Sequence, residues 1–405
     1  MRNTTLISMC ILLTLACRQP EEITPIEKNE LDVLWSTRIV PEGPGFHTLG
    51  MSPVLFEDHL LVSTEFNLNG LTAPILWLDT SSGEIDTMWS DYVYDWDYYT
   101  EEDRAVIGDY LFLGGLFSVD CIDMKNASTQ WGALFDDGYA VLYAHDGYLY
   151  RTMNYSNPDG DECAVILRTP ANVNNWDTVY STCESQQLRP SFISFDFAQL
   201  PNGDDILVAK NRTEGVLSSV IGRTTILGYN LTADSLEWES EKLEVFCGFT
   251  PLQVHGNNVF GMLDTNFVAL DLVSGSLKWK TSLPDWQGFQ NDMRSGDFHV
   301  SDGRIVLKST APYFACLNAE DGSLLWTTED DYYHNLHSRF QVHQNRIYCS
   351  NYGLTIVDIE TGQRAVSKEA CDKLGNVQGD IVLDPAQGVM YMQNGKEALC
   401  VRIPE

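Results

Sequence analysis

Several residue arrangements that mark common catalytic sites are missing from this sequence. It contains no G-x-S-x-G elbow, no H-E-x-x-H pair and no phosphate-binding P-loop. No two cysteines are adjacent, and none form a C-x-x-C pair. These absences argue against a serine hydrolase, a zinc peptidase, a P-loop nucleotidase, a zinc ribbon and a thioredoxin-like protein.

Basic residues are scarce. The chain of 405 residues has 25 Lys and Arg against 57 Asp and Glu, which gives a formal net charge of -32 and a pI near 4.4. Such a surface repels nucleic-acid phosphates and anionic lipid headgroups, so neither is expected as a partner. With 44% hydrophobic and 11% aromatic residues, the chain can still form a large core.

Long apolar runs are absent beyond the amino terminus. The run from Leu6 to Ala16 follows Arg2 and is too short to span a bilayer, so it is typical of a signal peptide. It ends at L-T-L-A-C, which resembles a bacterial lipobox and predicts cleavage before Cys17 and lipidation of its thiol. An ordinary secretory signal is the alternative. We therefore predict a lipoprotein signal peptide over 1–16, a flexible tether over 17–30 and a folded domain over 31–405.

This leader places the protein outside the cytoplasm. A lipidated Cys17 is an anchor that holds the chain on the outer membrane without crossing it. Acidic residues soon after Cys17 resemble a surface-export signal, so both the periplasmic face and the cell surface are expected locations. Export permits disulfides, and Cys163 and Cys183 flank one predicted hairpin and could pair. Cys121 and Cys316 instead occupy a slot for small residues in a strand and are expected to be buried thiols.

A short repeat determines the fold prediction. Residues 269–279 read ALDLVSGSLKW, a small residue followed by Asp, Gly and Trp at fixed spacing. Further copies lie at 77–89, 121–131, 228–238, 316–326 and, without tryptophan, 356–366, and a degenerate copy ends at Trp176. The Asp or Asn can bond the turn backbone and the Gly supplies a positive φ, so each copy predicts a β-hairpin with a demanding turn.

Each copy is preceded by a second hairpin, which gives units of four strands with a period mostly of about 40 to 50 residues, as expected of propeller blades. Eight such units can be counted, and the last one lacks its outermost strand at the end of the chain. Residues 31–39 resemble an isolated outermost strand carrying Trp35. The sequence therefore predicts an all-β fold, an eight-bladed β-propeller of four-stranded antiparallel blades whose ring is closed by the amino-terminal strand.

The repeat resembles the tryptophan-docking motif of pyrroloquinoline-quinone-type propellers. Among these, the chain looks most like the propeller lipoprotein of the outer-membrane barrel-assembly machinery, in fold, length and anchor. The resemblance implies a non-catalytic scaffold, and it assigns blade docking to the indoles of Trp131, Trp238, Trp279 and Trp326. Family dehydrogenases are longer and carry adjacent cysteines over the quinone, which this chain lacks, so neither quinone binding nor another cofactor is predicted.

Metal sites are weakly indicated. His334 and His337 form an H-N-L-H segment beside two aspartates, but a solvated loop explains them better, since a loop does not fix ligand geometry by spacing alone. Acids between residues 95 and 102 are a weak Ca²⁺ candidate without the glycine and ordered ligands of an EF-loop. His145, His255 and His343 are expected at strand turns, exposed to solvent.

One face of the ring is predicted to be rich in aromatic and acidic residues. The segment DYVYDWDYYTEEDR at 91–104 connects the first two blades, and similar connections lie at 135–139, 283–293 and 330–340. The candidate binding residues are Tyr94, Trp96, Tyr98, Tyr99, Trp286, Tyr332 and Tyr333. Such a face suits a protein partner or, less well, a glycan, because flat rings give contact area at small entropic cost.

Two functions remain open at this point. The first is a binding or scaffold protein of the cell envelope that engages a protein partner. The second is an envelope enzyme or glycan-binding protein with its ligand in the central channel. In either case these rings can instead pack over the ends of neighbouring blades and hold the connections in place.

Overall fold

The computed structural model consists almost entirely of β-strands. It describes residues 30–40, 48–65, 74–90, 99–115, 118–135, 142–184, 188–215, 223–241, 250–263, 266–283, 297–308, 313–329, 339–350 and 353–404. The strands are β1 (Val33–Arg38), β2 (Thr48–Phe56), β3 (His59–Glu65), β4 (Ile75–Asp79), β5 (Ile85–Trp89), β6 (Tyr99–Ile107), β7 (Tyr110–Gly115), β8 (Ser118–Asp123), β9 (Ser128–Leu134), β10 (Leu142–His145), β11 (Tyr148–Ser156), β12 (Glu162–Pro170), β13 (Asp177–Glu184), β14 (Leu188–Gln199), β15 (Asp205–Gly215), β16 (Arg223–Asn230), β17 (Ser235–Glu239), β18 (Gln253–His255), β19 (Asn258–Leu263), β20 (Asn266–Asp271), β21 (Leu277–Ser282), β22 (Asp297–Ser301), β23 (Arg304–Lys308), β24 (Tyr313–Asn318), β25 (Leu324–Glu329), β26 (Gln341–His343), β27 (Arg346–Ser350), β28 (Leu354–Asp358), β29 (Gln378–Asp384), β30 (Val389–Gln393) and β31 (Glu397–Arg402), and one short helix is α1 (Lys368–Asp372).

These strands form eight antiparallel sheets arranged as the blades of a propeller. Blade 1 is β2–β5, blade 2 is β6–β9, blade 3 is β10–β13, blade 4 is β14–β17, blade 5 is β18–β21, blade 6 is β22–β25, blade 7 is β26–β28 and blade 8 is β29–β31 with β1. The predicted eight-bladed all-β propeller is confirmed. We call the contact between consecutive blades a seam. The end of the ring at which each first strand begins is called the connector face, and the opposite end is called the turn face.

The amino-terminal strand closes the ring. β1 pairs antiparallel with β31, in a register that joins Trp35 to Cys400 and Arg38 to Glu397. The backbone N–H of Arg402 donates to the carbonyl of Asp32 at 2.9 Å and continues this pairing beyond the strand. Blade 8 therefore receives its outermost strand from the opposite end of the chain, as the sequence predicts.

The core lies between the blades. One cluster of buried side chains, which includes Phe267 and Phe298, joins blades 5 and 6. The two rings meet edge to face with centroids 4.8 Å apart. Similar clusters fill the other seams, so each sheet is covered on both faces by its neighbours.

Aspartates organise the hairpins between third and fourth strands. The carboxylate of Asp79 accepts hydrogen bonds from both the backbone and the hydroxyl of Ser81 and of Ser82. These hydroxyls, Ser81 first, lower the pKa of Asp79 to about 2. Gly83 then adopts a φ of +75°, a conformation that glycine reaches without strain. Asp123, Asp271 and Asp358 accept the corresponding backbone bonds in their own turns.

An indole joins one blade to the next at six seams of the described chain. In each case the indole N–H donates to the carbonyl of the residue that follows the third strand of the next blade, an arrangement that we call an indole lock. The six pairs are Trp35 with Thr80, Trp77 with Met124, Trp131 with Ala171, Trp238 with Leu272, Trp279 with Ala319 and Trp326 with Ile359, at 2.8 to 3.2 Å.

Blade 1 departs from the predicted pattern. Its lock is Trp77, which lies on β4 opposite Thr87, in the slot where other copies have a small residue. Trp89, at the end of the same repeat, instead donates to the hydroxyl of Thr129 at 3.3 Å. In blade 1 the locking tryptophan therefore lies on the third strand instead of the fourth, and its indole still reaches the next blade.

Two further copies also differ from the prediction. In blade 3 the docking position opposite Ile166 is occupied by Tyr180, whereas Trp176 precedes β13 and packs edge-on against Trp131 at 6.3 Å. In blade 7 the described residues form three strands, and only Arg364 bridges to β28. Here α1 follows, and it packs with Val366 against blade 8 in place of an outermost strand.

Candidate functional site

Most of the residues predicted to bind a partner lie outside the described part of the chain. These are Tyr94, Trp96, Tyr98, Trp286, Tyr332 and Tyr333, together with the weak metal candidates His334 and His337 and the lipidation residue Cys17. Tyr99 begins β6, where its backbone pairs with Gly115. Their role in recognition therefore stays a prediction.

Two aromatic residues of the same connections are described, and both pack against the blades. Phe135 meets Trp176 edge-on at 5.3 Å, and the guanidinium of Arg151 lies 3.4 Å from the centre of its ring. Phe340 is buried against Phe314 at 6.2 Å. These two rings therefore pack against the blades, which is the structural role that the sequence analysis considered for the aromatic residues of the connections.

A buried ionic cluster lies on the first strands, which line the central channel. The carboxylate of Asp380 on β29 forms an ion pair with Arg104 on β6 at 2.7 Å. Its second oxygen accepts the backbone N–H of Arg339 at 2.6 Å, and its own N–H donates to the hydroxyl of Ser52 at 2.9 Å. One aspartate of blade 8 thus contacts blades 7, 1 and 2.

Two other aspartates of first strands have the same role. Asp297 accepts the N–H of Phe340 in the next blade at 3.2 Å, and Asp196 accepts the N–H of Val254 at 2.6 Å. Burial raises the pKa of both carboxyls, although these hydrogen bonds favour the charged form. Lys308 and Arg339 add opposite charges that favour ionised Asp297.

A phenol of blade 3 is bonded to blade 4 at the same level. The hydroxyl of Tyr143 accepts the backbone N–H of Phe195 at 3.4 Å. Burial raises the pKa of Tyr143, and its hydrogen bonds and the positive charge of Arg339 oppose this rise.

Polar side chains on second strands connect three of the blades to the next one. Lys210 donates to the carbonyl of Thr250 at 2.5 Å, Ser350 to that of Gly379 at 2.6 Å and Gln393 to that of Met51 at 2.7 Å. All three side chains are buried. These bonds fix the backbone near the start of the first strand in blades 5, 8 and 1.

The histidines and cysteines of the described chain form no metal site. No group of three or more His, Cys, Asp or Glu in these residues is placed to hold a metal ion. His145 is not the solvated residue predicted, because its ring stacks on Phe197 at 4.2 Å with an interplanar angle of 1°. Burial raises the pKa of Cys121 and of Cys316 to about 12, as expected of the predicted buried thiols.

The predicted disulfide is present. Cys163 and Cys183 face each other on β12 and β13, with their Cα atoms 4.0 Å apart. The other described cysteines are buried and are not disulfide-bonded. In the part of the chain that the structure describes, no helix is long and apolar enough to cross a membrane.

Taken together, the eight blades, the Asp-Gly turns and the indole locks define an eight-bladed β-propeller with a tryptophan-docking repeat. The sequence model of the family described as outer membrane protein assembly factor BamB matches residues 264–403, from blade 5 to the end of β31 and about a third of the chain. No curated protein matches the sequence.

Solved structures show the same fold at low sequence identity. BamB from Moraxella catarrhalis is 10% identical, with a TM-score of 0.58 over 92% of this chain and 99% of that one. The computationally designed protein Ika8 is 9% identical, with a TM-score of 0.60 over 91% and 100%. The quinohemoprotein alcohol dehydrogenase from Comamonas testosteroni is 9% identical, with a TM-score of 0.60 over 93% and 78%. These likenesses establish the fold and leave the activity open.

Several of these features could not be read from the sequence. Arg104 and Asp380 are 276 positions apart, and neither belongs to a motif. Trp77 carried a readable signal, because it stands two residues before Asp79 where the other copies have a small residue.

Proposed function

We propose that this protein is a non-catalytic binding or scaffold lipoprotein of the cell envelope, held on the outer membrane by Cys17, whose connector face engages a protein partner. The observation that carries the proposal is the match of residues 264–403 to the family of the outer membrane protein assembly factor BamB. The closed propeller around the matched segment supports it, since a rigid ring with exposed connections is a common platform for recognition.

The disulfide supports residence outside the cytoplasm. Disulfides form and persist in oxidising compartments such as the periplasm and the cell surface. Cys183 is exposed, so the bond with Cys163 would be accessible to cytoplasmic reductants. A periplasmic or surface location therefore agrees with the signal peptide and lipobox predicted at the amino terminus.

The channel groups support a rigid connector face. Asp297 and Asp380 fix the backbone of Phe340 and Arg339, where blade 7 begins. Lys210, Ser350 and Gln393 fix the starts of blades 5, 8 and 1. Connections mounted on fixed strand ends lose less entropy on binding than connections on mobile ones.

The test is capture of partners from native membranes by crosslinking. Alanine substitution of Trp96, Tyr98, Trp286 and Tyr333 together is expected to abolish capture while leaving the melting temperature nearly unchanged. The matched control replaces Leu277 and Leu324 by serine, since both are exposed at the starts of outermost strands, at the opposite end of those strands from the connections. Unaltered capture by the fourfold variant, or equal loss in the control, would contradict the proposed face.

Location is tested separately on intact cells. A lipid-anchored protein should fractionate with the outer membrane, and Cys17→Ser should release it into the soluble envelope fraction. Protease added to unlysed cells distinguishes the two faces, because only a surface-displayed chain is cleaved. Retention of the Cys17→Ser variant in the membrane would contradict anchoring at this residue.

The second candidate is an envelope enzyme or glycan-binding protein with its ligand in the central channel. The cluster of Arg104, Arg339, Asp297 and Asp380 favours it, because opposed charges near a channel mouth can orient a polar ligand. Substitution of Arg339 by methionine separates the two functions. It should leave partner capture intact under the scaffold proposal, and it should abolish ligand binding under the alternative.

A further inference from the structure

The seam between blades 3 and 4 lacks the indole lock found at six other seams. Tyr180 on β13 occupies the docking position, in the register that Trp131 has in blade 2. Its ring packs against Tyr229 at 5.2 Å and Phe192 at 5.9 Å. Within the described residues, no hydrogen bond runs from Tyr180 to blade 4. The outermost strand of blade 3 is therefore held across this seam by ring contacts.

The turn of blade 4 explains why a tyrosine stands at this position. At four locked seams the indole lies directly over a turn glycine, and a Cβ added to Gly83, Gly275, Gly322 or Gly362 would come within 2.3 to 2.6 Å of it. Blade 4 has Asp234 at the corresponding position, with a φ of +52°. By analogy with these four glycine seams, a Cβ at Asp234 would block an indole that entered from the outermost strand of blade 3, and the Asp234 carboxylate accepts the Tyr229 hydroxyl at 2.6 Å.

The same strand carries the disulfide. Cys183 lies three residues beyond Tyr180 and is bonded to Cys163 on the adjacent strand β12. Cys163 is buried, whereas Cys183 is exposed and open to reagents in solution. The other cysteines of the described chain are buried and not disulfide-bonded, on strands of other blades or on α1.

We propose that the Cys163–Cys183 disulfide replaces the missing indole lock in holding β13, and that its reduction releases this strand from the ring. The reductant is a dithiol. Its thiolate attacks the exposed sulfur of Cys183 and forms a mixed disulfide, and Cys163 leaves as a thiolate and takes up a proton. The second thiol of the reductant, as its thiolate, then attacks the reductant sulfur of the mixed disulfide, which forms the reductant's own disulfide and releases Cys183 as a thiolate that takes up the second proton. Two electrons and two protons pass to the protein, and blade 3 retains its three inner strands.

Hydrogen exchange of the oxidised full chain, with and without dithiothreitol, tests the release. A cross-link over a loop of this size restrains opening by roughly a hundredfold. Reduction should therefore speed amide exchange in β13 by about that factor, while β25, locked by Trp326, keeps its protection. Unchanged exchange in β13, or an equal increase in both strands, would overturn the proposal.

A second variant tests the replacement itself. Tyr180→Trp combined with Asp234→Gly rebuilds the residue pair of the locked seams while the cysteines stay in place. In this variant β13 should keep its slow exchange after reduction, because the indole then holds the strand. Tyr180→Trp alone is the matched control, since Asp234 still blocks the indole, and it should respond to reductant as the natural chain does. If reduction still speeds amide exchange in β13 of the double variant, the proposal that the disulfide replaces the indole lock is overturned.

Discussion

Arg104 of blade 2 and Asp380 of blade 8 form an ion pair of 2.7 Å that passes over the first strand of blade 1. The two residues are separated by two seams, and Ser52 of blade 1 accepts the backbone N–H of Asp380 between them. The ring is thus closed twice near the same place, by β1 at its rim and by this pair at its channel. Both closures join the amino-terminal blades to the last one.

Removing the carboxylate of this pair should destabilise the ring strongly. Asp380→Asn removes the charge that faces the largely buried guanidinium of Arg104, and breaking a buried pair costs about 3 to 5 kcal/mol. Urea unfolding measures this loss. The double variant Arg104→Met with Asp380→Asn should lose less than the sum of the single changes. Lys373→Met, which breaks an exposed pair with Glu30, is the control and should unfold as the natural chain does. An unaltered midpoint for Asp380→Asn would contradict the second closure.

Gly322 should tolerate alanine much less well than Gly108 does. Both have positive φ values, +71° and +56°, so both substitutions carry a backbone cost of about 1 to 2 kcal/mol. A Cβ at Gly322 would also lie 2.4 Å from the Thr281 hydroxyl and 2.6 Å from the Trp279 ring, whereas at Gly108 it meets nothing within 4 Å. Overpacking should add about 1 to 3 kcal/mol at Gly322, measured by chemical unfolding. Equal losses for the two variants would show that the indole does not depend on this glycine.

The predictable part of the fold follows from interactions that are local in the chain. The carboxylate of Asp271 bonds the next residues of its own turn, and Gly275 and Trp279 stand at fixed distances from it. Each repeat could therefore be read without knowing its neighbours. Ring closure was predictable for a related reason, because blade 8 lacked one strand and Trp35 stood in an unpaired one.

The remaining features depend on contacts between distant segments, or on a different residue taking the tryptophan position of the repeat. Tyr180 was missed because blade 3 has a longer turn, so Trp176 precedes the outermost strand instead of lying within it. In blade 7 the tryptophan slot holds Val366, and Ser367 then caps α1 by accepting the N–H of Ala370. Such substitutions follow from the shape of the neighbouring blade, as Asp234 shows at the seam between blades 3 and 4.

Removing two hydroxyls from the turn of blade 1 should let Asp79 take up a proton at a higher pH. Hydrogen bonds from Ser81 and Ser82 lower the pKa of Asp79 from 3.8 to about 2. Because the folded-state pKa is the lower one, this stabilisation is present above pH 3.8 and is lost as the pH falls towards 2. Ser81→Ala with Ser82→Ala should raise the pKa of Asp79 towards 3.8, although the two backbone N–H donors remain. A carboxyl-carbon NMR titration measures this change, with Asp321 as the internal control, since its pKa is lowered by a separate bond to Ser323. If Asp79 still titrates near 2 in the double variant, the hydroxyls do not hold its charge.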